Sequence, residues 1–221
     1  MKPSPRQAKH TKKLNKALKV AARLFAKKGY EKVSIEEIAW KLNLTKGSLY
    51  HYFKSKEEVL YLIQKDAIEN GIAAQTRVLE SDKPPPAKLA DAIRTHVTIV
   101  TKSEVAGALN QQELILPPAL RASVIDARDR YENIFQEIIS QGVEAGVFQA
   151  RDVNIATIST LSLLNGIAKW YSPGGANSLG EITEAVTEYI LKGLAPRSRK
   201  RTSTRLTSKD AVEETDQVLN P

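Results

Sequence analysis

The sequence predicts an all-α fold, and three observations lead there. Apolar residues recur at helical spacing through almost every segment, and no stretch alternates apolar and polar residues as a half-buried strand would. Helix-opening residues stand ahead of these segments, at Ser34, Thr45, Ser55 and Asp152. Helix breakers stand between them, at Gly29, Pro84-Pro85-Pro86, Pro117-Pro118, Gly146 and Pro173-Gly174-Gly175. With 221 residues and no cysteine, the chain can bury a core without covalent staples.

Each element follows from local pattern. Leu14, Ala17, Leu18, Ala21, Leu24 and Phe25 form one apolar stripe, closed by Gly29. Ser34-Ile35-Glu36-Glu37 spells a capping box, in which the Ser34 hydroxyl accepts from the Glu37 N–H and Glu37 reaches back. Ile35, Ile38, Ala39 and Leu42 make the inner face of a second, short helix. Asn43-Leu44 reads as a turn and Thr45 as the N-cap of a third short helix over 46–53. Ser55-Lys56-Glu57-Glu58 spells a second box and opens a long helix that runs to Leu79. Residues 80–86 read as a linker, because three consecutive prolines cannot lie inside a helix. Helical pattern returns over 87–101 and 104–116, then from Pro118 to Gly146, over 153–170 and over 179–194. The expected organisation is a head with a basic arm (1–56), a larger helical body (57–195) and a polar tail (196–221) read as disordered, with about nine helices in all.

Charge divides along the same lines. Residues 1–56 carry 15 Lys/Arg against 3 acids, and residues 57–195 carry 12 against 18. A strongly basic head on an acidic body points to a polyanionic partner for the head alone. The lack of cysteine excludes thiolate metal sites and Cys nucleophiles. The three histidines are scattered without zinc spacing, and no P-loop, Gly-x-Gly-x-x-Gly or Gly-x-Ser-x-Gly motif occurs. The expectation is a protein that is not an enzyme and holds no cofactor or metal. Its most apolar stretch, 155–168, is too short to span a membrane. No apolar segment of a signal peptide follows the basic start, so a reducing, cytoplasmic setting is expected.

Residues 14–60 hold the most informative constellation. Two short helices separated by about three residues have the spacing of a helix-turn-helix, whose second helix enters the major groove N-terminus first. Such a helix needs cations and N–H donors around it to hold phosphates. Ser34 and Thr45 cap helix N-termini, where orphan N–H groups favour a phosphate. Lys46 and Ser48 point outward if Leu44, Leu49 and Phe53 point inward, and Gly47 lets backbone approach the duplex. Tyr50 and His51 reach the sugar-phosphate chain from the far end, and Lys56 reaches a phosphate beside the next helix. Lys2, Arg6, Lys9, Lys12 and Lys13 are read as an arm along a groove.

Leu24-Phe25-Ala26-Lys27-Lys28-Gly29-Tyr30, Ile38-Ala39 and the unbroken run from Thr45 to Leu60 resemble the DNA-binding domain of the TetR family of transcriptional regulators. The resemblance implies DNA-contacting roles for Ser34, Thr45, Lys46, Ser48, Tyr50, His51 and Lys56, and packing roles for Tyr52 and Phe53. Trp40 departs from the family pattern, which carries a small or polar residue there, and is expected to pack on the first helix.

The same resemblance implies a helical body that binds a small molecule and pairs through its last two helices. Small residues in the next-to-last helix and the stripe Ile182, Val186, Tyr189, Ile190 in the last fit that pairing. Leu161, Leu164, Ile182, Val186, Tyr189 and Ile190 are the expected interface of a homodimer on a near-palindromic double-stranded DNA operator. Asn165 to Gly175 resembles an Asn-Trp…Trp-Tyr-x-Pro-Gly-Gly ending in a branch that controls fatty-acid, steroid and aromatic-acid catabolism and releases DNA on binding acyl-CoA thioesters. Ala or Ile stands here where that branch has Trp after Asn. The expected effector-facing residues are Glu113, Arg128, Tyr131, Phe135, Asn165, Trp170 and Tyr171, whereas His10 and His96 read as plain surface or packing residues. The function expected is a repressor released by an acyl-CoA or similar apolar anion. The alternative is an architectural DNA-binding protein that acts through a protein partner.

Overall fold

A computed structural model describes residues 4–102 and 115–196. The helix expected over 104–116, apart from its last two residues, lies outside them, as do Lys2, Glu113 and the tail. Eight helices and no strand are found among the described residues. They are α1 (Pro5–Lys28), α2 (Ile35–Lys41), α3 (Lys46–Tyr50), α4 (Lys56–Leu79), α5 (Pro85–Lys102), α6 (Pro118–Glu144), α7 (Val153–Trp170) and α8 (Leu179–Leu194).

Two boundaries correct the sequence reading. Residues 5–13, expected as an arm, are helical and form the first turns of α1. α5 begins inside the proline run, at Pro85, because a first-turn residue needs no N–H for an intrahelical bond.

The caps resolve into three different arrangements. Ser34 Oγ accepts from Glu37 N at 3.1 Å, but the Glu37 carboxylate turns to Lys28 Nζ at 2.5 Å, so the expected box is only half formed. Ser55 Oγ accepts from Glu58 N at 3.2 Å, while Glu58 reaches one residue further back, to the Lys54 N–H. The complete box is one the sequence reading passed over: Ser178 Oγ accepts from Glu181 N at 3.2 Å, and Glu181 accepts from Ser178 N at 2.7 Å. Glycines at φ 83 (Gly29) and φ 69 (Gly146) follow α1 and α6, where left-handed backbone suits a residue without Cβ. Asn43 takes φ 54 in the turn between α2 and α3, a conformation Asn tolerates better than most residues.

Two apolar cores form, and α4 belongs to both. The head core gathers Ala21 and Phe25 from α1, Ile38 from α2, Leu49 and Phe53 from the α3 region, and Val59, Leu60 and Ile63 from α4. It also takes in Leu116 and Val124, which precede and begin α6. The body core is built on α5 and α6, with Ile93, Val97, Phe135, Ile138 and Ile139 enclosed by residues of α7 and α8. Polar ties join α4 to α6 along their length: Tyr61 Oη lies 3.1 Å from Ser123 Oγ, and Glu69 pairs with Arg130 at 2.5 Å.

Phe148, just past α6, packs against Gly142, where an added Cβ would stand 1.9 Å from its ring. Gly142→Ala therefore has to expel a buried phenyl ring. It should cost about 3 kcal/mol, or roughly 10 °C in Tm, by calorimetry. An unchanged Tm would show that the Phe148 contact is not structural.

Candidate nucleic-acid interface and effector region

The candidate reading helix is α3. Thr45 Oγ1 accepts from Ser48 N at 3.1 Å and lies 2.9 Å from Ser48 Oγ, which orients both hydroxyls at the N-terminal end. Leu49 and Phe53 are buried beneath, so Lys46, Gly47, Tyr50 and His51 are turned outward, with Ser48 half-buried at the edge. Lys46 pairs with Glu36 of α2 and lies 5.9 Å from the Tyr50 ring centre. Its hydrogen bond to Glu36 raises the ammonium pKa and lowers that of the carboxyl. A Cβ on Gly47 would meet nothing within 4 Å. Glycine is a poor helix former, so nothing among the described residues accounts for its presence there.

Lys56 is held ready at the start of α4. Its ammonium lies 4.1 Å from the Tyr30 ring centre and 3.4 Å from the Glu31 carbonyl oxygen, and the Tyr30 hydroxyl donates to Glu57 at 3.2 Å. Burial and the neighbouring Glu57 carboxylate push the Tyr30 phenol up, so it stays a neutral donor. Lys56→Ala should weaken binding to every duplex and lower the slope of log affinity against log salt by about one ion. An unchanged slope would remove Lys56 from the phosphate contacts. Ser34, expected as a phosphate contact, is exposed at the α2 N-terminus. Trp40 corrects the sequence reading. It does not pack on α1 but is 71% exposed, with Lys41 Nζ 5.0 Å from its ring centre.

In the body, the expected effector residues divide. Tyr131, Phe135 and Asn165 come together, and His96 joins them. The His96 ring meets Phe135 edge-on with centroids 5.8 Å apart. Its Nδ1 lies 2.8 Å from Tyr131 Oη and its Nε2 lies 3.2 Å from Asn165 Oδ1. Gln75 Nε2 donates to Tyr131 Oη at 3.1 Å and to the Ala92 carbonyl at 3.0 Å. One tautomer satisfies the chain: Gln75 donates to Tyr131, Tyr131 to Nδ1, and Nε2–H to Asn165. Burial lowers the His96 pKa to about 4 and raises that of Tyr131 to about 12, so both are neutral. Gln75 Oε1 is buried without a hydrogen-bond partner among the described residues. Arg128 is half-buried on α6 outside this cluster, Trp170 is 59% exposed, and Tyr171 packs against the edge of the body core.

Among the residues expected at the pairing face, Leu161, Leu164, Ile182 and Ile190 pack into the body core, each at most 8% exposed in the single chain. Of the expected residues only Tyr189, at 70%, is freely exposed, while Val186 is half-buried. The outward apolar residues along α7 are Ile155 and Ile158, with Trp170 at its C-terminal end.

The family described as "Bacterial regulatory proteins, tetR family" matches residues 17–61, and that described as "Tetracyclin repressor-like, C-terminal domain" matches residues 82–194. The chain belongs to the TetR family. TetR-family proteins are DNA-binding transcriptional regulators and not enzymes, and this chain is one of them. It is 24% identical over 181 residues to the HTH-type transcriptional repressor KstR2 of Rhodococcus jostii, covering 80% of this chain and 89% of that protein. The TetR-family regulator PfmR from Thermus thermophilus superposes with a TM-score of 0.75 at 36% identity, covering 81% of this chain and 99% of that one. AibR, solved in complex with isovaleryl coenzyme A and operator DNA, gives a TM-score of 0.73 at 25% identity, covering 84% and 100%.

Sequence reasoning missed Gln75 and His96 as members of the polar cluster in this TetR-family body. Each occupies an inward position among apolar neighbours, where a single polar residue reads as packing. The available signal was that two such residues sit on consecutive long helices, α4 and α5.

Proposed function

We propose that the chain is a homodimeric repressor that leaves a near-palindromic operator when an acyl-CoA thioester binds its body. The supporting observation is the continuity of α4. Its first turn holds Lys56 beside the reading helix, and Gln75, five turns on, is tied into the buried polar chain of the body. A ligand that rearranges Gln75 and Tyr131 therefore acts on the element that carries the reading head. The acyl-CoA assignment rests on the sequence ending at Gly175 and on the similarity to AibR. Pairing through the outer face of α7 and α8 joins Ile155, Ile158 and Tyr189 to their symmetry mates and sets two reading helices roughly 34 Å apart, one DNA turn.

The test is selection of duplexes from a randomised pool by the full chain, with and without decanoyl-CoA. The expected result is a two-fold symmetric consensus that the thioester competes off. A symmetric consensus indifferent to all thioesters would instead favour the architectural reading, and an asymmetric one would remove the homodimer.

A further inference from the structure

An open groove of about 1130 Å³ runs between α1, α4 and α5, the size of a cofactor-class site rather than an ion site. Lys19 and Arg23 of α1 and Arg94 of α5 line it, against one carboxylate, Asp66 of α4. Asn15, Asn70, Thr95 and Thr98 add neutral hydrogen-bonding groups. Ala67, Gly71 and Ala74 of α4 line it with little bulk. The Tyr131 ring lies 3.0 Å from where a Cβ on Gly71 would stand. Gly71 thus joins the groove to the polar chain that leaves Gln75 Oε1 without a hydrogen-bond partner among the described residues.

We propose that this groove binds the phosphorylated nucleotide head of the effector, with cations from the reading head and from the body closing on it together. The inference rests on the acyl-CoA reading and deepens it. Guanidinium and ammonium groups on two sides suit spaced phosphates, and amide and hydroxyl groups suit a ribose or base. Arg94 also meets Asp91 at 2.9 Å, which holds its guanidinium in place at the groove edge. Because Lys19 and Arg23 move with the head and Arg94 with the body, a ligand spanning them favours one head position over another. That difference is the one thing a ligand needs to shift the equilibrium.

Calorimetry with free coenzyme A, which has no acyl chain, tests the groove apart from the release mechanism. The full chain should bind it, and K19A/R94A should lose more than tenfold in affinity, the size of losing hydrogen bonds to charged groups. Asp66→Asn should tighten binding about threefold, a gain that misfolding cannot produce. No binding by the unaltered chain, equal binding by K19A/R94A, or pyrophosphate binding as tightly as coenzyme A overturns the proposal. Release of selected DNA by decanoyl-CoA is read separately. Release undiminished in K19A/R94A overturns the groove and leaves the effector reading standing. Coenzyme A binding that K19A/R94A loses, with no DNA release by any thioester, supports the groove and overturns the effector reading.

Discussion

Gly47→Leu should abolish specific DNA binding while leaving the fold intact. No described residue lies within 4 Å of a Cβ on Gly47, and leucine is the better helix former by about 1 kcal/mol, so Tm should hold or rise by a few degrees. On the duplex the added side chain stands where backbone must approach, flanked by Lys46 and Ser48. Losing two good contacts at about 1–3 kcal/mol each corresponds to roughly a hundredfold in affinity. Anisotropy with a duplex selected by the unaltered protein measures it. Retained affinity would mean that α3 does not enter the groove at its N-terminal end.

The second large effect is acid sensitivity. His96 has a folded-state pKa of about 4 because burial penalises its charged form, whereas the unfolded chain takes up a proton near the ordinary value of 6.5. Between those two values the unfolded state binds more protons, so stability rises with pH across that window and levels off above it. From pH 7 to pH 5 this histidine alone should remove about 2 kcal/mol. Denaturant titrations at the two pH values should show it. His96→Gln, a neutral group that can still hydrogen bond, should lower stability at pH 7 but flatten the loss toward pH 5. An equally steep loss in that variant would place the sensitivity elsewhere.

The reading head was legible because its constraints are local. Ser34, Thr45 and Ser55 each cap the residue three positions on, and the alternation of Leu49 and Phe53 with Lys46 and Tyr50 fixes inside and outside within two turns. The body was legible as helices but not as a site. His96 meets Tyr131 across 35 residues and Asn165 across 69, and no periodicity carries that information. The pairing face is hard to read from sequence for a related reason. Leu161, Leu164, Ile182 and Ile190 form an apolar stripe, but a stripe does not say whether it faces the same chain or a second copy. Trp40 failed in the opposite sense, since a large aromatic at a helix position was taken as buried when its partner is the neighbouring Lys41.

The sharing of α4 between the two cores limits how such a molecule can be recombined. Val59 and Leu60 are fully enclosed among head residues, so cutting at 56 leaves a fragment with its own interior laid open. Grafting this DNA specificity onto another sensor, by gene shuffling or by engineering, has to carry the opening turns of α4 and refit the surfaces that Leu116 and Val124 present to it. The natural seam of the polypeptide lies inside a helix, not at a loop.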